Sequence, residues 1–377
     1  VAPNQTPPST TDNSTPATNQ SSPAASNRGA STTRPAAAGA ANAGTTLAYN
    51  LLQQKQYEAA LKEAQQVTAA DPKNAEAWKI AGFAQAGLNR FAEAADALQR
   101  ALDLQRAARE EDPNTMDALA RAYVRTEKFD LALPLLTAAT TRAGAQPDPL
   151  MLYYRGLAEY RTSKKEDAER SFNLAVKADP KSSASLYYLG RIAFERKDMD
   201  AAVNALNRAT LSDPRLAEAW ALLTYSYLQR ADAAGGGPKA EADYLSAVRA
   251  SEGLLRVRPD EASTALHGQA LIRAEQYARA ATVLERAAAA PGAQGGTLYL
   301  LGFAYSRARN FPKAVAALER AAAKTPNDAN IYRELGYTYE VTKQYAKALA
   351  AYEKGLGLVP GDADFKEAAE RVRPFAR

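Results

Sequence analysis

The sequence predicts an all-α fold, an α-solenoid of stacked helix-turn-helix repeats. Three observations point there. Glycines recur at an interval of 34 residues: Gly156 with Gly190, then Gly268, Gly302 and Gly336. Alanines and prolines keep the same interval, as in Ala168 with Ala202; Ala280, Ala314 and Ala348; Pro180 with Pro214; and Pro326 with Pro360. Between these markers apolar residues fall at i, i+3, i+4 and i+7, the period of a helix with one buried face. A fixed interval of this length marks one small unit repeated along the chain. Such a unit cannot bury its apolar face alone and is stacked on its neighbours.

Residues 1–43 precede the repeats. Apart from Val1 they hold no large apolar side chain, only Ser, Thr, Asn, Pro, Ala, Gly and a few other polar residues. Such a stretch cannot bury enough surface to offset a chain entropy of roughly 1–2 kcal/mol per residue. It is expected to be a disordered tether, of the kind found in surface or periplasmic stalks. Asn4, Asn13 and Asn19 each open an N-x-S/T triplet, which this composition also produces by chance. The chain starts at Val1 and has no cysteine. Both suit an extracytoplasmic protein, in the periplasm or cell envelope, whose signal peptide has been removed. A cytoplasmic location is the alternative. Without a cysteine, a directly lipidated N-terminus is not expected.

The last full repeat, residues 329–362, shows the physical pattern best. Tyr332, Leu335, Gly336 and Tyr339 share one helical face, and Ala348 and Tyr352 share another. The polar break at Thr342–Gln344 separates the two helices. Small residues at Gly336 and Ala348 would let them approach, with the bulky neighbours filling the space around the contact. Pro360 cannot continue the ladder and ends the second helix. At these residues the chain resembles the tetratricopeptide repeat family, whose pattern is W-x2-L-G-x2-Y…A-x3-F…P. Trp78, Gly82, Ala94, Leu98 and Ala101 carry the resemblance in the second repeat. In the fourth it rests on Gly156, Ala168, Phe172, Ala175 and Pro180. In the fifth it rests on Leu189, Gly190, Ala202, Leu206, Ala209 and Pro214. In the eighth it rests on Leu298, Leu301, Gly302, Tyr305, Ala314, Leu318, Ala321 and Pro326.

About nine repeats result, starting near residues 41, 75, 113, 149, 183, 217, 261, 295 and 329, so that the array spans 44–362. The first is atypical and recognisable mainly from Tyr57, Ala60 and Pro72, as expected of an end unit. The second runs on by about a turn before Pro113. Pro134 is expected near a helix start, where its missing N–H is least costly. The sixth carries an insertion at 231–240, read as a flexible loop around Gly235–Gly237. Residues 363–377 are expected to form a capping helix with a polar outer face, followed by a short tail. Arg371, Arg373 and Arg377 read as a small basic tail that aids solubility.

The resemblance implies a right-handed superhelix with the first helix of each repeat lining its concave face, where ligands of the family usually bind. Carried over repeat by repeat, the family's outward positions are the second, fifth, ninth, twelfth and thirteenth of each repeat. They give Arg121 and Arg125 in the third; Tyr153, Leu157, Tyr160 and Arg161 in the fourth; and Tyr187, Arg191 and Phe194 in the fifth. Tyr225 and Leu228 follow in the sixth; Tyr299, Phe303 and Arg307 in the eighth; and Arg333 and Tyr337 in the ninth. Tyr offers area with few rotors, and Arg offers planar contact with carboxylates. Acidic and aromatic polypeptide segments are therefore the expected ligands. The competing use of the same aromatics is packing between repeats. The clamp by which one subtype of the family holds chaperone C-termini needs Lys and Asn four residues apart. Lys79 with Phe83, Tyr187 with Arg191 and Tyr299 with Phe303 stand there instead.

Composition narrows the function classes. Lys and Arg number 47 against 42 Asp and Glu, a formal charge of +5 that lacks the dense basic stripe of a nucleic-acid binder. No apolar run approaches the about 18 residues of a membrane span. One histidine and no cysteine leave no basis for a Ser-His-Asp or Cys-His centre. His267 lies where the family packs Leu and is expected in the core. No catalytic residue, metal or cofactor is expected. The expected function is that of a non-enzymatic scaffold for protein–protein interaction in a bacterial cell-envelope assembly. A cytosolic adaptor or co-chaperone, or an RNA-binding helical-repeat protein, would be the alternatives.

Overall fold

The computed structural model describes residues 39–142, 146–290 and 292–376. Nearly all of the polar leader, with its three N-x-S/T triplets, therefore lies outside the described residues, as does Arg377. Among the described residues there are nineteen α-helices and no strand. They follow in consecutive pairs: α1 (Gly39–Gln53) with α2 (Tyr57–Ala70), α3 (Ala75–Gly87) with α4 (Phe91–Ala108), and α5 (Pro113–Arg125) with α6 (Phe129–Thr141). Next come α7 (Pro149–Arg161) with α8 (Lys165–Ala178), α9 (Ser183–Glu195) with α10 (Met199–Ser212), and α11 (Ala217–Ala234) with α12 (Gly237–Val257). The last pairs are α13 (Glu261–Arg273) with α14 (Tyr277–Ala288), α15 (Gly295–Arg307) with α16 (Phe311–Lys324), and α17 (Ala329–Val341) with α18 (Tyr345–Leu358). A single helix, α19 (Ala363–Val372), and a short 3-10 turn close the series.

The chain forms two compact blocks, one ending at Tyr188 and the other starting at Leu189. In the first block α1 touches α3, α3 touches α5 and α5 touches α7. In the second, α11 touches α13, α13 touches α15 and α15 touches α17. These first helices thus form a closely spaced row in each block.

Helix starts have a common cause. Most first helices are capped by a side chain that accepts a backbone N–H: Asn74 from Ala77, Asp112 from Asn114, Asp148 from Leu150, Asp260 from Ser263, Asp328 from Asn330 and Asp362 from Phe365. The turn between the paired helices is built differently. Lys55, Asn89, Glu127, Ser163, Lys197, Glu275, Arg309 and Lys343 all adopt φ between 57° and 63°. After each, the next N–H bonds a carbonyl five residues back, as Gln344 does to Tyr339 and Asn310 to Tyr305, both at 2.8 Å. This is a Schellman closure with a left-handed residue, reached here almost entirely without glycine.

The glycines of the interval hold the paired helices together. A Cβ on Gly82, Gly190, Gly268 or Gly302 would stand 2.5 Å from a side-chain carbon of Leu98, Leu206, Leu284 or Leu318. At Gly156 it would strike the Phe172 ring at 2.8 Å, and at Gly336 the Tyr352 ring. Between repeats, hydrogen bonds set the register. Tyr123 donates to Gln99 at 2.9 Å and Tyr339 to Glu319 at 2.6 Å, Tyr305 donates to Glu285, and Tyr227 accepts from Asn207 at 2.9 Å. Each pair joins the eleventh position of one repeat to the second helix before it. The motif prolines also act as acceptors: Trp78 Nε1 bonds Pro72 O, Trp220 Nε1 bonds Pro214 O, and Tyr332 OH bonds Pro326 O, all at 3.0 Å.

Two local expectations are corrected. The insertion at 231–240 is not a long loop. It lengthens α11 to 18 residues and α12 to 21, leaving only Gly235 and Gly236 between them. Both are at positive φ, which suits a turn this short. Bidentate pairing of Arg230 with the buried Asp243, at 2.6 and 2.8 Å, braces the extension. Pro134 sits at the sixth residue of α6 and not in its first turn, so the N–H that would bond the Asp130 carbonyl is missing.

His267 is buried in α13, and its Nδ1 lies 2.8 Å from Ser251 Oγ of α12. Ser251 Oγ donates to the Val248 carbonyl at 2.8 Å, which leaves it to accept from Nδ1–H. Burial pushes the imidazole below its ordinary 6.5, with Arg279 acting in the same direction and Glu252 against it.

Gly156→Ala is expected to destabilise the chain. Overpacking against the Phe172 ring costs about 1–3 kcal/mol, and helix propensity returns about 1 kcal/mol at most. Gly357→Ala, where a Cβ meets nothing within 4 Å, should instead gain several tenths of a kcal/mol. Urea melts of the two variants test this. For His267 the folded pKa lies below the unfolded one, so the unfolded chain binds the proton first. Stability is therefore flat above about pH 6.5 and falls as pH drops from there towards the folded pKa. His267→Leu should remove this part of the acid sensitivity, measured as the difference in Tm between mildly acidic and neutral buffer.

Candidate protein-binding surface

The row of first helices carries the side chains expected to meet a ligand, but the fold uses many of them internally. Tyr153, Leu157, Tyr187, Phe194 and Tyr299 are only 5–9% exposed, and Leu228 is buried too. In the first block the aromatics form one cluster. Phe172 stacks on Tyr188 at 5.1 Å with the rings 9° apart, and Tyr153 lies 6.1 Å from Phe172 and 6.2 Å from Tyr188. Tyr160, half-buried, and Tyr187 both meet the Tyr188 ring edge-on, at 5.4 and 5.2 Å. These rings fill the volume left beside Gly156, which explains why this stretch is so rich in tyrosine. Tyr225 is half-buried as well, and burial pushes its phenol up.

The arginines divide between repeat-to-repeat contacts and the surface. Arg125 lies over the Phe91 ring at 4.5 Å and Arg161 over Phe129 at 5.6 Å. In both, the thirteenth position of one repeat covers the aromatic that opens the second helix of the repeat before. Arg121 pairs with Asp148 at 3.3 Å, and Arg191 with Glu195 at 3.4 Å. Arg125 and Arg161 nevertheless remain exposed residues.

The expected residues converge at the end of the second block. Arg307, Arg333 and Tyr337 line an open cleft of about 370 Å³ together with Glu334, Tyr352, Phe365 and Arg371. Arg307 is held between two rings, 4.3 Å from the centroid of Phe303 and 5.2 Å from that of Tyr337. Beneath it Glu334 is buried, accepting from Arg307 at 2.9 and 3.2 Å and from Ser306 Oγ at 2.6 Å. Arg333 lies over Phe365 at 4.2 Å and pairs with Asp362 at 2.5 Å and Asp364 at 3.3 Å. The Arg333 guanidinium holds the Asp362 carboxyl below its ordinary range. Tyr337 stands 42% exposed at the cleft.

Arg371 was not anticipated as part of this site. It reads as tail, yet it bonds Glu340 at 2.8 and 3.0 Å, and Glu340 also accepts from Tyr352 at 2.8 Å. Arg371 lowers the Glu340 pKa as the leading cause. A signal was available. Ala363 falls 34 residues after Ala329, so α19 is the first helix of an unfinished tenth repeat and Arg371 its ninth, outward position. Glu334 had no such signal, because its sixth position belongs to no outward set.

No group of three or more metal-ligating side chains is placed to hold an ion among the described residues. No described helix is long and apolar enough to cross a membrane.

Glu334→Ala should lower stability by about 1–3 kcal/mol. That is less than the 3–5 typical of a broken buried pair, because Arg307 is about a third exposed and can be rehydrated. Glu334→Gln should keep the Ser306 bond and lose less. Thermal melts of the two variants rank these outcomes.

The sequence profile of the tetratricopeptide repeat matches residues 45–113, 118–183, 160–217 and 299–363, well over half of the chain. No curated protein matches the sequence. Among solved structures, a MamA fragment from Desulfovibrio magneticus is 22% identical with a TM-score of 0.42, covering 48% of this chain and 98% of its own. YrrB, described as a tetratricopeptide repeat protein with an unusual peptide-binding site, is 17% identical with a TM-score of 0.44, covering 54% of this chain and 99% of its own. The C-terminal part of a repeat protein from Cytophaga hutchinsonii is 15% identical with a TM-score of 0.44, covering 76% of this chain and 97% of its own. With its nine helix pairs and the profile matched along both blocks, the chain belongs to the tetratricopeptide repeat family.

Proposed function

We propose that this chain is a non-enzymatic scaffold that binds acidic, aromatic-bearing polypeptide segments along its row of first helices, with the Arg307–Arg333–Tyr337–Arg371 cleft as the principal site. One observation carries this: the row already holds a segment of that chemistry. Asp362, Asp364 and Phe365 of α19 engage Arg333 by ion pairs and by a ring beneath its guanidinium. Next to it Arg307 and Tyr337 present the same pair of groups to the cleft. A ligand carboxylate would meet a guanidinium held flat between rings, which limits the rotamer entropy lost on binding. A scaffold role also fits the one histidine, which is buried and bonded to Ser251.

As part of the same proposal, the protein acts outside the cytoplasm of a bacterium, in a cell-envelope assembly. The support is its lack of cysteine and its Ser/Thr/Pro/Asn-rich leader. Fractionation of the source cell tests the location, and recovery in the cytosol would favour the adaptor reading.

Binding is tested with peptides that pair two acidic residues with one aromatic, compared with versions in which the acids become Lys. Tyr337→Ala should weaken binding of the acidic peptide by about tenfold or more while leaving the melt unchanged, as for an exposed hot-spot aromatic. Arg307→Ala should weaken it further. Equal affinity of the acidic and Lys peptides, or of wild type and Tyr337→Ala, would refute this site.

A further inference from the structure

The two ends of the array differ. At the C-terminal end, α19 buries Phe365, Ala368, Ala369 and Val372 and turns Asp364 and Glu367 to solvent. At the other end, no helix among the described residues precedes α1. Its third, seventh and tenth positions are Ala43, Leu47 and Asn50, and all three are exposed, Leu47 by 47%. In later repeats the seventh position meets the second helix of the repeat before, as Arg155 meets Thr140 and His267 meets Ser251. There Ala81, Leu119, Leu223, His267, Leu301 and Leu335 are 0–5% exposed, and Arg155 and Leu189 are half-buried. The tenth position is buried likewise at Ala84, Ala122, Ala158, Ala270, Ala304 and Thr338. One face of α1, spaced i, i+4 and i+7, thus falls at the positions of an internal contact and is exposed among the described residues.

The missing second helix would end a few residues before α1, as its counterparts do, and so would fall within residues 1–38. That stretch contains no large apolar residue after Val1 and has prolines at Pro23 and Pro35. It cannot supply the side chains that fill this contact elsewhere. The face is also uncharged: GAANAGTTLAYNLLQ is the one helix among the described residues without an acidic or basic residue. A surface that meets its own copy across a two-fold axis sets each charge near a like charge, and α1 has none to repel. The polar outer face of α19 does not fit head-to-tail stacking, so pairing closes at two.

We propose that the exposed face of α1 is a self-association surface, on which a second copy of the chain packs α1 against α1 through Leu47. A 15-residue helix pair lies at the small end of stable interfaces, so the dimer is weak and its population depends on concentration.

Sedimentation equilibrium of the full chain over a wide concentration range tests this, with circular dichroism to confirm folding of every variant. Wild type should show a monomer–dimer equilibrium. Leu47→Glu should raise its Kd by at least about tenfold, since the carboxylates would be buried against each other. Leu47→Lys should do the same, and an equimolar mixture of the two variants should recover dimer. Leu211→Glu, at an 80% exposed site on α10, should leave the equilibrium unchanged. A chain that stays monomeric throughout would overturn the proposal and leave the face to a different protein. A dimer indifferent to both Leu47 variants would overturn it as well. Neither result bears on peptide binding at the Tyr337 cleft, which lies in the other block.

Discussion

Everything in this array depends on one contact repeated along it: a hydrogen where a side chain would be, facing a large side chain of the paired helix. At Gly82, Gly190, Gly268 and Gly302 the neighbour is leucine, at Gly156 it is Phe172 and at Gly336 it is Tyr352. The glycine costs about 0.5–1 kcal/mol of helix stability relative to alanine. It is kept because the close approach packs the larger residue into a dry interior, where lost dispersion contacts are expensive. Once each pair is closed, its outer faces are apolar and must be covered by the next repeat. Stacking is a consequence of the pair, and it is why no single repeat stands alone.

A second layer of interactions decides how the repeats meet. The tyrosines at the eleventh position bond to the second helix of the preceding repeat, and the loop prolines accept from Trp78, Trp220 and Tyr332. These bonds are directional where apolar packing is not, and they fix the register that leucine and alanine would leave loose. Arginines at the thirteenth position serve the same end by covering Phe91 and Phe129. A residue type suited to partner recognition is thereby drawn into holding the scaffold together. At α19 several such groups, Arg307, Arg333 and Tyr337 among them, line one open cleft.

The ends carry the interesting chemistry for a physical reason. Inside a repeat array each face is answered by the next unit, so most polar and aromatic groups there find partners. At the C-terminal end, acidic and aromatic residues of α19 take the place of a further repeat on Arg333. At the N-terminal end Leu47 has no such substitute among the described residues. The sixth repeat shows a third solution, in which an insertion is absorbed by lengthening α11 and α12 and bracing them with the buried Arg230–Asp243 pair.

The sequence by itself determined the repeated helix pairs and the glycine contact, because both rest on local rules: the helical period and the 34-residue interval. Gly156, Gly190 and Pro214 announce their roles without coordinates. The site was legible in part. Position within the repeat picked out Arg307, Arg333 and Tyr337, which the structure brings to one cleft, and the same rule reaches Arg371 once α19 is counted as a tenth first helix. Only the tertiary structure decided that Tyr153, Tyr187, Phe194 and Tyr299 are buried. An outward position on one helix is inward once the neighbouring first helix closes against it, and that distance is set by side chains far apart in sequence. The turns show the same limit. Glu127 and Lys343 give no hint of a left-handed conformation, which the packed helices on either side impose on them. Buried Glu334 is the last case: its charge is tolerated because Arg307 and Ser306, a repeat earlier, meet it there.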